Sequence, residues 1–386
     1  MYNSTFVYPL VIKDGQGCYI EDIDGEQYLD FTSNISSCPL GYGHPEIKEI
    51  IKRYGDIGAH KIAGQDFYCE EHLLLAEKLL AITMANSKVF FITSGAEAVE
   101  NAIKLAYRKN GPLPGISCLN AFHGRTLGAL TFTFSKEVQK SNFPEFSVKR
   151  IKFCTFDNDP EIDTIEKVAR EYKISFIITE LVQGEGGVNV ASKKFAKNIN
   201  HISRKYNIPL IIDEVQTGLA RTGKWWAFQH YGINPDIIPI GKALQVGAVV
   251  FDKKFEPNQQ GVLSSTWGGG DRIDMAIGIK TIDIISRDKL LDKVNKNGNF
   301  LKQCLMELKN INDTIIDVRG IGLMLGVEFH KTEDRNKVIN KLFKNKLLVI
   351  PSGIKTIRIL PPLIITKQEI SKGLEIFERV LKEIKH

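Results

Sequence analysis

Three stretches of the sequence put reactive residue types where strand ends meet turns. In KVFFITSGAEAVENAIKLAYR an apolar strand stops at Thr93, Ser94-Gly95 makes the turn, and Ala98, Val99, Ala102, Ile103 and Ala106 mark one helical face. The first turn of such a helix has backbone N–H groups without intrahelical acceptors, and the helix dipole adds positive potential there. A phosphate suits that place, with the Ser94 hydroxyl as a further donor. A plain helix cap explains Ser-Gly as well, and the stretch is neither GxxxxGK[ST] nor GxGxxG. In PLIIDEVQTGLARTGK, Asp213 and Glu214 directly follow an apolar strand, at the edge where α/β sheets place ligands. Acids that face water or cap the next turn are the plainer alternative. In DIIPIGKALQVGAVV, Lys242 follows another apolar strand among small residues. A lysine desolvated there has a lowered pKa, as a Schiff-base amine needs. Lys224 in RTGKWW competes for that part, but its surroundings read as an exposed turn.

The elements that must position these residues follow from the apolar pattern. KVFFIT, ISFIITE, PLIIDEV and DIIPIG are short buried-strand candidates, separated by segments long enough for crossover helices. That spacing is what a mainly parallel sheet requires. CYIEDIDGEQYLDF reads as a hairpin about Asp24-Gly25. EIKEIIKRYG and EEHLLLAEKLLAI have helical periodicity, as do MAIGIKTIDIIS and LLDKVNKNGNFLKQCLMEL beyond Asp271. IIDVRGIGLMLGVEF and TIRILPPLII are strand-like. The reading is α/β: a large domain over 45–270, and a smaller α+β domain made from both chain ends, 1–44 and 271–386.

Composition excludes several other classes. The 386 residues are 43% hydrophobic and 25% charged, which rules out intrinsic disorder. No apolar run approaches the roughly 20 residues of a membrane helix, and MYNSTFVYPL lacks the charged and apolar regions of a signal peptide. The expected location is the cytoplasm. Six scattered cysteines form no CxxC, and eight histidines form no HExxH, so neither a disulfide framework nor a metal site is expected. A net charge of +6 over this length is mild, and no nucleic-acid partner is expected.

A phosphate cradle, a strand-end aspartate and a strand-end lysine, in that order, are what pyridoxal 5'-phosphate requires. Here the sequence resembles the class III (ω-type) aminotransferases of the fold-type I pyridoxal-phosphate enzymes. The resemblance runs through GEQYLDF, GHPEI, TSGAEAVENAIKLAYR, AFHGRT, VQGEGGV, DEVQTGLARTGK, GKAL, STWGG, VRGIGLMLGVEF and RILPPL, nearly the whole chain. It implies a seven-stranded, mainly parallel sheet in the large domain. It also implies that Lys242 holds the cofactor as a Schiff base and then shuttles the substrate proton, while Asp213 pairs with the pyridine nitrogen. By the same resemblance Ser94, Gly95 and Ala96 bind the phosphate, and Thr266 reaches it from the neighbouring subunit of a homodimer with shared active sites. Phe122 and Val215 would cover the two ring faces, His123 would join the cofactor site, and Gln216 would lie near the phenolic oxygen.

The resemblance extends to the substrate. Arg125 matches the residue that grips a distal carboxylate, and Arg358 the one that forks onto the α-carboxylate of glutamate. Glu185 matches a glutamate that neutralises Arg358 when the amino donor has no carboxylate there, and Glu180 a second polar group near the substrate. The implied reaction carries the terminal amino group of an ω-amino acid (lysine, 4-aminobutyrate or ornithine type) to 2-oxoglutarate by a ping-pong mechanism. ELVQGEGG has Leu181 where the family has proline, and LSSTWGGGD departs from the TFGGNP of many acetylornithine-type enzymes. STWGG, KALQVG and WWAFQH look closer to the lysine 6-aminotransferase and 4-aminobutyrate aminotransferase branches. Alternatives on the same scaffold are an acetylornithine-type aminotransferase and an amino-acid racemase or epimerase.

Overall fold

The computed structural model describes residues 8–64, 66–264 and 267–384. Its centre is one sheet of seven strands: β1 (Ser87–Ile92), β2 (Gly115–Cys118), β3 (Val148–Ile151), β4 (Phe176–Thr179), β5 (Leu210–Ile212), β6 (Ile237–Ile240) and β7 (Gly247–Asp252). They lie in the order β1-β7-β6-β5-β4-β2-β3. Only β7 runs against the others, pairing antiparallel with both β6 and β1. Both faces are covered, so β4, β5 and β6 are buried throughout and read as unbroken apolar runs. Because six strands point one way, their carboxyl ends share an edge, and the turns leaving β1, β4, β5 and β6 carry the reactive residues.

Two of the seven strands had no clear apolar signal. β2 is only GISC, and the edge strand β3, VKRI, is buried only at Ile151. A short strand made with glycine and serine, and a half-exposed edge strand, are held by their neighbours rather than by their own pattern.

The predicted hairpin is present: Tyr19–Asp22 pairs antiparallel with Gln27–Asp30. The Asp22 carboxylate accepts from the Asp24 and Glu26 amides and so closes the turn, in which Gly25 has φ 82. Leu347–Leu348, over three hundred residues later, adds to this sheet parallel to Gln27–Asp30. A separate sheet holds Ile315–Ile321, Met324–Phe329, Thr356–Ile359 and Ile350–Ser352, neighbours in that order. The buried Arg221 ties these parts to the large sheet. Its guanidinium donates to Leu323 O, Pro361 O and Ser33 Oγ, and burial pushes its pKa down to about 9 against the pull of Asp30.

All six cysteines are free, three of them buried and three partly so. No helix among the described residues is long and apolar enough to cross a membrane.

Candidate active site

At the end of β1 the chain turns directly into the helix Gly95–Asn110. Ser94 is its N-cap: Ser94 Oγ accepts from the Glu97 amide at 3.3 Å, and the Glu97 carboxylate accepts from the Thr93 and Ser94 amides at 3.0 and 2.9 Å. Capping fixes the turn whose next residues, Gly95 and Ala96, line a cleft. A Cβ on Gly95 would stand 2.6 Å from Val215 Cγ1, so the close approach of these two turns requires glycine.

β5 leads into Asp213 and Glu214, and the two acids have different partners. Asp213 Oδ1 accepts from the Val215 amide at 3.0 Å, and Oδ2 lies 2.8 Å from His123 Nδ1. Facing a carboxylate, Nδ1 is the donor, and the opposite ring nitrogen, Nε2, has no partner among the described residues although it is buried. Glu214 instead turns into the protein. It accepts from the Phe228 amide at 3.0 Å and from the Thr217 hydroxyl, and burial pushes its pKa up to about 7.

β6 delivers Lys242 through Gly241 into a short turn, Lys242–Leu244, with the lysine itself at φ 47. Burial and the Arg358 charge push the Lys242 ammonium down to about 8, against the pull of Glu185, Asp213 and Glu180. Such an amine is partly unprotonated at neutral pH. Lys224, the competing lysine, is exposed and its Nζ donates to Gln229 O at 3.0 Å, away from the cleft.

β4 leads into Glu180 and the loop Gly184–Gly187. Glu180 holds the wall together, its two oxygens accepting from the Phe122 amide at 3.0 Å and the Gly184 amide at 2.8 Å. Burial and the nearby Asp213 push its carboxyl up to about 7, against His123 and these two amides. Beyond it, Glu185 Oε1 lies 2.6 Å from Arg358 Nη2. Arg358 is only 2% exposed; its Nη1 donates to Gly184 O at 2.8 Å and to Gln216 Oε1 at 3.0 Å, while Nε has no partner among the described residues. Burial raises the Glu185 carboxyl, but Arg358 and Lys242 outweigh it and hold the group below the ordinary range.

One cleft is thus lined by Gly95, Ala96, Phe122, His123, Glu180, Glu185, Asp213, Val215, Gln216 and Lys242. Gly124, Gly184 and Thr217 line it as well; they fall within AFHGRT, VQGEGGV and DEVQTGLARTGK, where no part is assigned to them individually. Arg125 is exposed and stands 5.8 Å from the Phe122 ring centroid, outside that lining. Ser94 is exposed beside the turn it caps. Thr266 lies outside the described residues.

The model of the family described as "Aminotransferase class-III" matches residues 2–381. The chain belongs to the class III aminotransferases. This aminotransferase is 36% identical to the acetylornithine aminotransferase of Archaeoglobus fulgidus, over 95% of this chain and 94% of that one. It is also 36% identical to the acetylornithine aminotransferase of Aquifex aeolicus, over 99% of each. Among solved structures, the lysine aminotransferase from M. tuberculosis in the internal aldimine form superposes with a TM-score of 0.92 at 27% identity, covering 100% of this chain and 97% of that one. The ornithine aminotransferase from Toxoplasma gondii ME49 superposes at 0.88 and 27% identity, covering 99% and 93%.

The aminotransferase uses pyridoxal 5'-phosphate, as its family does, and its cleft fits that group. Free amides at a helix N-terminus suit a phosphate. The His123-bound carboxylate suits a ring nitrogen, and the lowered lysine suits an aldehyde. The orphaned Nε2 of His123 is a buried donor or acceptor directed at no protein group among the described residues.

Proposed function

We infer that this class III aminotransferase moves the terminal amino group of an ω-amino acid to 2-oxoglutarate, giving a semialdehyde and glutamate in two half-reactions of a ping-pong cycle. The observation that carries the reading is the buried Glu185–Arg358 pair, 2.6 Å long, of which Glu185 lines the same cleft as Lys242 and Asp213 while Arg358 stands behind it. A buried arginine matched by a carboxylate is neutral as a unit and accepts an uncharged neighbour; with the glutamate turned away it offers a fork for a carboxylate. One pocket then suits a donor whose reacting end is a plain amine and an acceptor whose reacting end bears a carboxylate.

Most residues of the cleft, and several beside it, have a part in this reading. Pyridoxal phosphate, when bound, supplies an aldehyde for imine chemistry and a ring that takes up carbanion electrons. Lys242 is the amine that holds that aldehyde and afterwards the base that moves the proton at the substrate carbon. Asp213, oriented by His123, holds a proton on the ring nitrogen. The Gly95 and Ala96 amides and Ser94 hold the phosphate, with Thr266 from the other subunit. Phe122 and Val215 enclose the ring faces and exclude water, and Gln216 stands by the phenolic oxygen. Arg358 takes the α-carboxylate of the acceptor, Arg125 its distal carboxylate, and Glu180 fixes the wall between them.

A donor panel with 2-oxoglutarate as acceptor, read as glutamate formed, tests the reading. Lysine, ornithine and 4-aminobutyrate are the expected class of donor. Inversion of single amino acids without an oxo acid, and no glutamate from any donor, would overturn it. The acetylornithine-type reading is the second one, favoured by relatives of that name at 36% identity; faster turnover of N-acetylornithine than of the free amines selects it.

The reading includes a homodimer in the cytoplasm. Phe67, Tyr68 and Leu73 are 64%, 90% and 61% exposed, an apolar group that a second copy would cover. The exposure of Ser94 leaves room for a neighbouring subunit to reach the same turn.

A further inference from the structure

The Gly184–Gly187 loop is held from both sides of Glu185 by one side chain. Ser352, fully buried, donates through Oγ to Gly184 O at 2.7 Å and accepts there from the Gly187 amide at 2.9 Å. The next residue along, Gly353, donates its amide to Glu185 O at 2.8 Å. Arg319 adds a bond from Nη2 to Gly187 O at 2.5 Å and another to Thr356 Oγ1 at 3.2 Å. The loop has no slack elsewhere: a Cβ on Gly184 would collide with Gln216 Oε1, and one on Gly186 with Asn120 O. Glu185 is the one side chain beyond glycine between Gly184 and Gly187.

Ser352 also belongs to the strand that carries the other half of the pair's support. Ile350–Ser352 runs antiparallel to Thr356–Ile359, with Ile350 opposite Arg358 and Ser352 opposite Thr356. The backbone of Glu185 and the backbone of Arg358 are thus referred to one hairpin. With both backbones held, the Glu185 side chain is the part of the pair left to turn.

We propose that Ser352 is the positioning residue of the Glu185–Arg358 pair and sets how strongly Glu185 competes with an incoming carboxylate for Arg358. The proposal rests on the two-substrate reading above. Removing the hydroxyl leaves the Gly184 carbonyl with Arg358 Nη1 as donor and the Gly187 amide without its acceptor, so the loop that aims Glu185 loosens. Neutralisation of Arg358 weakens, and the donor half-reaction suffers more than the acceptor half-reaction.

The test uses the loaded, full-length enzyme and two readouts. In single-turnover measurements, Ser352→Ala should lower kcat/KM for the ω-amine roughly tenfold, the size of one lost buried hydrogen bond, and for 2-oxoglutarate about threefold or less. By calorimetry, glutarate, a dicarboxylate with neither amine nor oxo group, should bind Ser352→Ala several-fold more tightly than the native enzyme. Ser352→Thr restores the hydroxyl and should return both values towards native. If the alanine chain does not fold, Ser352→Cys, a weaker donor of similar size, should shift both readouts the same way by less. Glu185→Gln separates the two levels of the argument. Tighter glutarate binding in Glu185→Gln but not in Ser352→Ala overturns the part given to Ser352, as does an equal loss in both half-reactions. Unchanged glutarate binding in Glu185→Gln overturns the exchange at Arg358 itself.

Discussion

The floor and the gate of the cleft are built in different ways. The floor takes Gly95, Asp213 and Lys242 from positions one to three residues beyond the ends of β1, β5 and β6. Parallel strands of one sheet bring such positions together whatever else the chain does, so each residue is placed by its own strand. The gate takes Glu185 from a loop and Arg358 from a separate sheet 173 residues later, and Ser352 and Arg319 hold the two in register. Its geometry depends on the large sheet and the C-terminal sheet packing in one way. The floor is thus anchored locally, each residue by its own strand, whereas the Glu185–Arg358 pair is anchored by tertiary contacts. Substitutions on the floor should therefore strike both half-reactions, and substitutions in the gate should separate them.

The largest expected effect is on the floor. Lys242→Ala should abolish transamination in both directions with the circular dichroism of the native fold retained; measurable turnover would give the role to another lysine. Asp213→Asn should slow both half-reactions on the order of 10³-fold or more, because the ring loses the anion that keeps its nitrogen protonated. Rapid-mixing spectra of each half-reaction measure it, and a loss confined to one of them would erase the distinction between floor and gate. Arg358→Ala, at the gate, should slow the 2-oxoglutarate half-reaction on the order of 10²-fold, from the loss of a forked, charge-assisted pair. The ω-amine half-reaction should slow much less, and equal losses would break the comparison.

The smallest effect concerns Glu214, beside Asp213 but outside the chemistry. Its folded pKa of about 7 exceeds the ordinary 4.5, so the native state holds the proton more tightly than the unfolded chain. The resulting contribution is fully present below the unfolded pKa and is lost as pH rises through about 7. Glu214→Gln should flatten that decline, by on the order of 1–3 kcal/mol between pH 4.5 and 8, when denaturant midpoints are compared. Activity ratios between the half-reactions should not move.

What could be read from the sequence divides along the same line. Lys242 was distinguishable from Lys224 because an apolar strand precedes the first and an RTGKWW turn surrounds the second. β1, β4, β5 and β6 announced themselves as apolar runs, whereas β2 and β3 did not, being too short or too exposed to carry a pattern. The adjacent acids after β5 were separable only by resemblance, since strand-end position says nothing of which way each side chain turns. Glu180 was visible only by resemblance, as a polar group near the substrate; that both its oxygens bind backbone amides appears only in the fold. Ser352 had no signal at all, because a serine at the end of a short strand is ordinary until the loop it grips is known.

The order of residues along the chain determined the class of chemistry: a capped turn, an acid and a lysine, each directly after a strand, converge on one edge because parallel strands share a direction. The tertiary structure decided which acid lines the cleft and which turns into the protein, which arginine is buried, and how firmly a glutamate is held against it. Those depend on contacts between segments far apart in sequence, whose energies exist only once the sheets have packed.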